Sequence, residues 1–138
     1  MEQGLIKNPR LRSYLYMALY EFFGCMLFIV GINCSNNEAS VAALGLFIAA
    51  TLTGRLSGGH FNMAVTLAVY VVEGKWSDNL AVAIVVAIVD IIGAFIGMIV
   101  SIGLLGTGNT FKLVPPGAYM NHTPTFILYL LLVEAFFT

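Results

Sequence analysis

Between two apolar stretches the chain reads Ser57-Gly58-Gly59-His60-Phe61-Asn62-Met63-Ala64-Val65-Thr66. A serine three residues before a histidine invites a nucleophile reading. Both sit on one short loop, however, with nothing to orient the histidine as a general base. Backbone chemistry fits better. Gly58 and Gly59 permit a tight path and leave carbonyl groups facing it. Asn62 stands where a helix begins, and its side-chain oxygen can cap the first turn while its NH2 points outward. A water oxygen that accepts from that NH2 has no free lone pair there to relay a proton. The positive end of the helix dipole adds a barrier to cations.

Three carboxylates lie within apolar segments, namely Glu21, Asp90 and Glu134. A charge there is costly, and each is a functional candidate by default. Cys25 and Cys34 lie nine apart without Cys-x-x-Cys spacing or a nearby histidine, and read as free thiols with one buried. No phosphate-binding loop, metal-ligand cluster or paired base and nucleophile is present in the sequence. The chain reads as a non-enzyme without a cofactor.

The elements that must hold these residues are membrane elements. Of 138 residues, 59% are hydrophobic and only 9% charged, and mean hydropathy is +0.93. A soluble domain carries roughly a quarter of its residues as charges. Six basic residues against seven acidic ones leave no basic stripe for nucleic acid. The composition predicts an all-α polytopic membrane protein. Residues 1–13 form the N-terminus, and spans run over about 14–32, 40–56 and 78–105. Residues 57–73 make a loop and an apolar piece half a membrane long, which reads as re-entrant. Gly93 and Gly97, four apart on the third span, suit close helix contact. A Gly/Pro/Asn-rich loop covers 106–124. Residues 125–138 start a fourth span that they are too short to complete, so the chain reads as part of a longer protein. A cytoplasmic N-terminus puts Lys7, Arg10, Arg12, Arg55 and Lys75 inside and leaves Lys112 alone outside, in line with the positive-inside bias.

The decapeptide closely resembles the first signature of the aquaporin/glycerol-channel (major intrinsic protein) family, Ser-Gly-Gly/Ala-His-x-Asn-Pro-Ala-Val-Thr. Flanking residues agree. Tyr20-Glu21-Phe22-Phe23-Gly24 is similar to the family's first-helix pattern, and Gly54 matches the glycine before the signature. Gly93-Ala94 resembles a third-helix motif, and Val133-Glu134-Ala135-Phe136-Phe137-Thr138 resembles the opening of the fourth helix. The resemblance covers the first of the family's two inverted repeats. The second signature and the arginine that follows it have no counterpart in these residues.

This resemblance implies an aquaporin-like fold of three transmembrane helices, one re-entrant half-helix and the start of a fourth span. It implies a channel for water or small neutral solutes such as glycerol, assembled in the bilayer as a homotetramer. The carbonyls of Gly58, Gly59, His60 and Phe61 would form a ladder of acceptors beside Asn62 and Met63. His60 would pack beside the loop and orient it. Ala42, or Leu44 if the helix register slips, would lie at the narrow filter. Glu21 and Glu134 would support the half-pore loops. Asp90 replaces a glutamine, leaving open a protonated acid, a donor from a loop, or a proton-linked gate. Met63 replaces a proline, leaving open a tolerated change or an altered or closed pore. Asn121 begins an Asn-x-Thr glycosylation pattern on a loop that is extracellular in the family. The alternative is a non-conducting, aquaporin-derived structural subunit packed with other membrane subunits.

Overall fold

The computed structural model describes residues 9–36 and 38–108, with Asp78 described by its backbone alone. Glu134, Asn121 and the start of the fourth span lie outside the described residues. Helix α1 spans Pro9–Cys34, with proline at the first helical position, where its missing N–H has no helical partner anyway. A turn follows with Asn36 in the left-handed region at φ 49°, which asparagine tolerates. Helix α2 covers Ala39–Ser57 and widens to π-helical winding over Ala50–Gly54. The half-helix α3 covers Met63–Glu73, and α4 covers Trp76–Leu105.

Length sorts these elements. The 26 residues of α1 and the 30 of α4 rise about 1.5 Å each and exceed the roughly 30 Å of a bilayer's hydrocarbon. The 11 residues of α3 reach only about half that depth. Helices α1, α2 and α4 are long and apolar enough to cross a membrane, and α3 is the shorter apolar helix beside them. The all-α polytopic class is thereby borne out.

Helix α1 is the hub, packing on α2 and most extensively on α4, while α3 packs on α4. Glycine sets how closely they approach. A Cβ on Gly93 would lie 2.6 Å from the Phe22 carbonyl oxygen, and one on Gly97 would lie 2.7 Å from that of Met26. The α1–α2 crossing brings Gly31 against Gly45, where a Cβ on either falls within 2.9 Å of the other's backbone. In a membrane, where burying apolar surface against apolar lipid gains little, such close backbone contact is a main source of cohesion.

The interior is narrow and polar. Buried apolar residues include Cys25, Ala49 and Phe61, while Glu21, Thr66, Asp90 and Ser101 are buried among them. Large apolar side chains such as Phe47, Phe95 and Val72 stand exposed on the outside. That inversion suits a lipid solvent.

Candidate pore loop

The site begins with one face of α1. Ala18, Glu21, Gly24 and Cys25 are buried together, at the three- and four-residue spacing that lines one side of a helix. Opposite them, α2 ends at Ser57, and Gly58 takes φ 108°. Gly59 at φ 69° and Phe61 at φ 47° are also left-handed. These turns fold the 58–61 segment around the Glu21 carboxylate.

Glu21 Oε1 accepts the N–H groups of Gly59 at 2.8 Å and His60 at 3.0 Å, and Oε2 accepts that of Phe61 at 2.9 Å. Three successive amides therefore point toward α1. Every peptide bond here is trans, so each N–H points opposite to the preceding carbonyl within their shared peptide plane. The carbonyls of Gly58, Gly59 and His60 consequently turn away from Glu21. The Phe61 carbonyl departs from this row: its oxygen lies 3.6 Å from Cys25 Sγ, on the α1 side. The reason is steric. The Phe61 ring is buried where Gly24 leaves room, and a Cβ on Gly24 would run into that ring and into Thr53 Oγ1. Phe61 thus anchors the loop.

Asn62 is extended at φ −158°, ψ 128°, and its Oδ1 accepts the Ala64 N–H at 2.8 Å. The cap occupies the oxygen and leaves the NH2 directed outward on an exposed residue. Met63 follows at the first helical position, 55% exposed. Both residues line a cleft against Leu80, Ile84 and Ala87 of α4.

Thr66, one turn along α3, ties the site together. Its hydroxyl lies 3.1 Å from His60 Nδ1, 3.3 Å from the Asn62 carbonyl and 3.5 Å from Asp90 Oδ2. Asp90 is 3% exposed, and its Oδ1 meets no hydrogen-bond partner among the described residues. Ser57 Oγ donates to the Thr53 carbonyl at 3.1 Å and accepts the Gly59 N–H at 3.3 Å. Its contacts are with backbone, and His60 turns to Thr66 instead.

A cavity of about 420 Å³ opens beside the loop, lined among others by Ser57, Gly58, His60, Thr66, Tyr14 and Tyr70. Glu21, Gly58, Gly59, His60, Phe61, Asn62, Met63 and Asp90 thus gather in one region. Ala42 stands apart from this cavity. It is half-buried in a cleft between α1 and α2, beside Phe28, Ile32 and Glu38. Thr66 and Cys25 were missed as members of the site by sequence reasoning. Cys25 falls on the Glu21 face by spacing, and Thr66 lies one helical turn from Asn62.

The family model for the Major intrinsic protein matches residues 11–136. Neither the curated proteins nor the solved structures yield a match.

Proposed function

Because this chain belongs to the major intrinsic protein family, whose members are channels for water or small solutes, we propose that its 58–63 loop lines one half of a pore for water or a small neutral solute such as glycerol. One observation carries the reading: Glu21 gathers the three amides of Gly59, His60 and Phe61. Their orientation leaves the carbonyls of Gly58, Gly59 and His60 as a row of acceptors on the other side, and no donor among the described residues reaches them. Gly58 is exposed and Gly59 and His60 are half-buried, so these carbonyls stand open to accept from a passing hydroxyl.

The row ends at the Asn62 NH2. A solute oxygen whose O–H groups donate to these carbonyls then accepts from that amide. The α3 dipole, positive at this end, raises the energy of a cation at the same point. Protons and ions are excluded on this account. Glu134 is the counterpart of Glu21 in the second half of such a pore, and Ala42 contributes to a filter away from the loop. A cytoplasmic N-terminus and a homotetramer complete the proposal.

Stopped-flow light scattering of liposomes holding the purified protein tests it. Shrinkage in an impermeant osmolyte, or re-swelling with glycerol, should run faster than in protein-free liposomes. Rates equal to protein-free liposomes for both solutes would instead favour a non-conducting structural subunit.

A further inference from the structure

The acceptor row starts at a peptide that glycine leaves free on both sides. The Gly58 carbonyl and the Gly59 N–H belong to one peptide unit, and neither flanking residue carries a Cβ to resist its rotation. Gly58 stands at φ 108° and Gly59 at φ 69°. The next two peptides each have a side chain on at least one side, that of His60 or Phe61. A half-turn of the Gly58–Gly59 unit would aim its carbonyl at the Glu21 carboxylate. Its N–H would then face the other way, a donor where the row needs an acceptor.

Two acceptors hold this peptide. Glu21 Oε1 takes the Gly59 N–H at 2.8 Å but shares itself with the His60 N–H at 3.0 Å. Ser57 Oγ takes the same Gly59 N–H at 3.3 Å. A serine hydroxyl owns one hydrogen, and where that hydrogen goes decides which way the group faces. Here it goes to the Thr53 carbonyl at 3.1 Å, so Gly59 meets the lone pairs. Thr53 lies in the π-helical stretch of α2, and its own hydroxyl donates to the Ala49 carbonyl at 3.0 Å. It is seated against α1, where a Cβ on Gly24 would fall 2.5 Å from Thr53 Oγ1. The preceding peptide is fixed separately, by the Gly58 N–H on the Gly54 carbonyl at 2.9 Å.

We infer that Ser57 is a positioning residue for the pore: with its hydrogen committed to Thr53, its oxygen is the second acceptor that fixes the Gly58–Gly59 peptide and aims the first carbonyl of the row. Acceptors from α1 and from the end of α2 set the orientation of a peptide plane where one alone leaves a pivot. Without the Ser57 hydroxyl, Glu21 keeps the N–H but the plane swings about that bond. The Gly58 carbonyl then leaves the path part of the time, and a solute meets two carbonyls before Asn62 instead of three.

The consequence for flow rests on the channel reading, whereas the orientation of the peptide does not. Two measurements keep them apart. Gly58–Gly59 is the only adjacent pair among the 14 glycines of the sequence. Glycine carrying 13C at its carbonyl and 15N at its nitrogen therefore gives a single directly bonded 13C–15N pair, and solid-state NMR of the full-length protein in lipid reads this peptide alone. The native protein should show one signal with the Gly59 amide proton well downfield. Ser57→Ala should move that proton upfield and lower the N–H order parameter, and Ser57→Thr, which keeps the hydroxyl, should restore both. An unchanged signal in Ser57→Ala overturns the inference, and a lower melting temperature beside that unchanged signal would leave Ser57 a structural residue only. The second measurement is water permeation of liposomes, expected to fall about two- to tenfold in Ser57→Ala, the worth of one hydrogen bond, and to recover in Ser57→Thr. A displaced signal with native permeation overturns the role in flow. If the native protein itself matches empty liposomes, the channel reading falls, and the NMR result still decides whether Ser57 holds the peptide.

Discussion

Gly24 on α1 is the socket for Phe61 on the loop: any side chain at Gly24 would overlap the Phe61 ring. The two are bound into one device with Glu21, a turn earlier, which accepts the Phe61 N–H at 2.9 Å. Phe61 sits in the left-handed region at φ 47°, which costs a non-glycine residue about 1–2 kcal/mol. Ring burial and the charged hydrogen bond offset that strain. The loop's shape is thus held from α1, across the interior, and not by its own turns.

Replacing Glu21 by Gln should therefore damage the loop more than its size suggests. The amide keeps one acceptor oxygen and presents an NH2 to the remaining amide, donor against donor. Losing hydrogen bonds to a buried charge and stranding an N–H costs about 2–4 kcal/mol. We expect a clear fall in thermal stability in detergent and at least tenfold slower liposome permeation. Unchanged melting with unchanged permeation would remove Glu21 from the account.

Glycine substitutions should separate contact from helix propensity. Gly24→Ala and Gly93→Ala both drive a Cβ into neighbouring atoms, and overpacking of this kind costs about 1–3 kcal/mol. Gly103, also within α4, has nothing within 4 Å of its Cβ position. Gly103→Ala should be neutral or stabilising by up to about 1 kcal/mol, from helix propensity alone. Melting temperatures of the three variants give the ranking directly, and equal losses in all three would contradict it.

Much of this fold is legible in the sequence because a bilayer imposes simple rules. A segment either reaches across the hydrocarbon or does not, and Met63–Glu73 is too short on counting alone. The spacing of Gly93 and Gly97 likewise predicts a close helix contact. The Gly31–Gly45 crossing could not be read, since neither glycine belongs to a paired motif and the contact joins two helices. The π-helical turn at Ala50–Gly54 has no signature in Ala-Thr-Leu-Thr-Gly either. At the loop, the chemistry of Asn62 follows from its type and place, whereas the direction of the Phe61 carbonyl depends on where its ring finds room. Such three-dimensional choices lie beyond spacing.

Met63→Pro should be accepted by the backbone. Asn62 already occupies φ −158°, ψ 128°, the extended region that a residue before proline requires. Position 63 is the first of the helix, where an N–H has no helical acceptor. Fixing φ there should raise stability by about 0.4–1 kcal/mol. The exposed thioether stem is lost beside the Asn62 amide, so permeability should rise if that stem narrows the path and stay level if it does not. A drop in melting temperature would show that the half-helix starts differently from this geometry.

Asn62→Asp separates capping from solute chemistry. Aspartate caps a helix about as well as asparagine, and its oxygen can replace Oδ1 in accepting the Ala64 N–H. Stability should change by no more than about 0.5 kcal/mol. What disappears is the outward NH2, and an anionic oxygen takes its place. A passing water then has no donor to orient it, and the negative charge cancels the cation barrier of the α3 dipole. Water permeation should fall severalfold while a pH-sensitive dye inside the liposomes reports a new proton or cation leak. Asn62→Ala supplies the contrast: it should lose about 1 kcal/mol of stability through the missing cap and, without the added charge, leak less. If Asn62→Asp conducts water at the native rate and stays tight to protons, the outward amide has no part in selecting the solute.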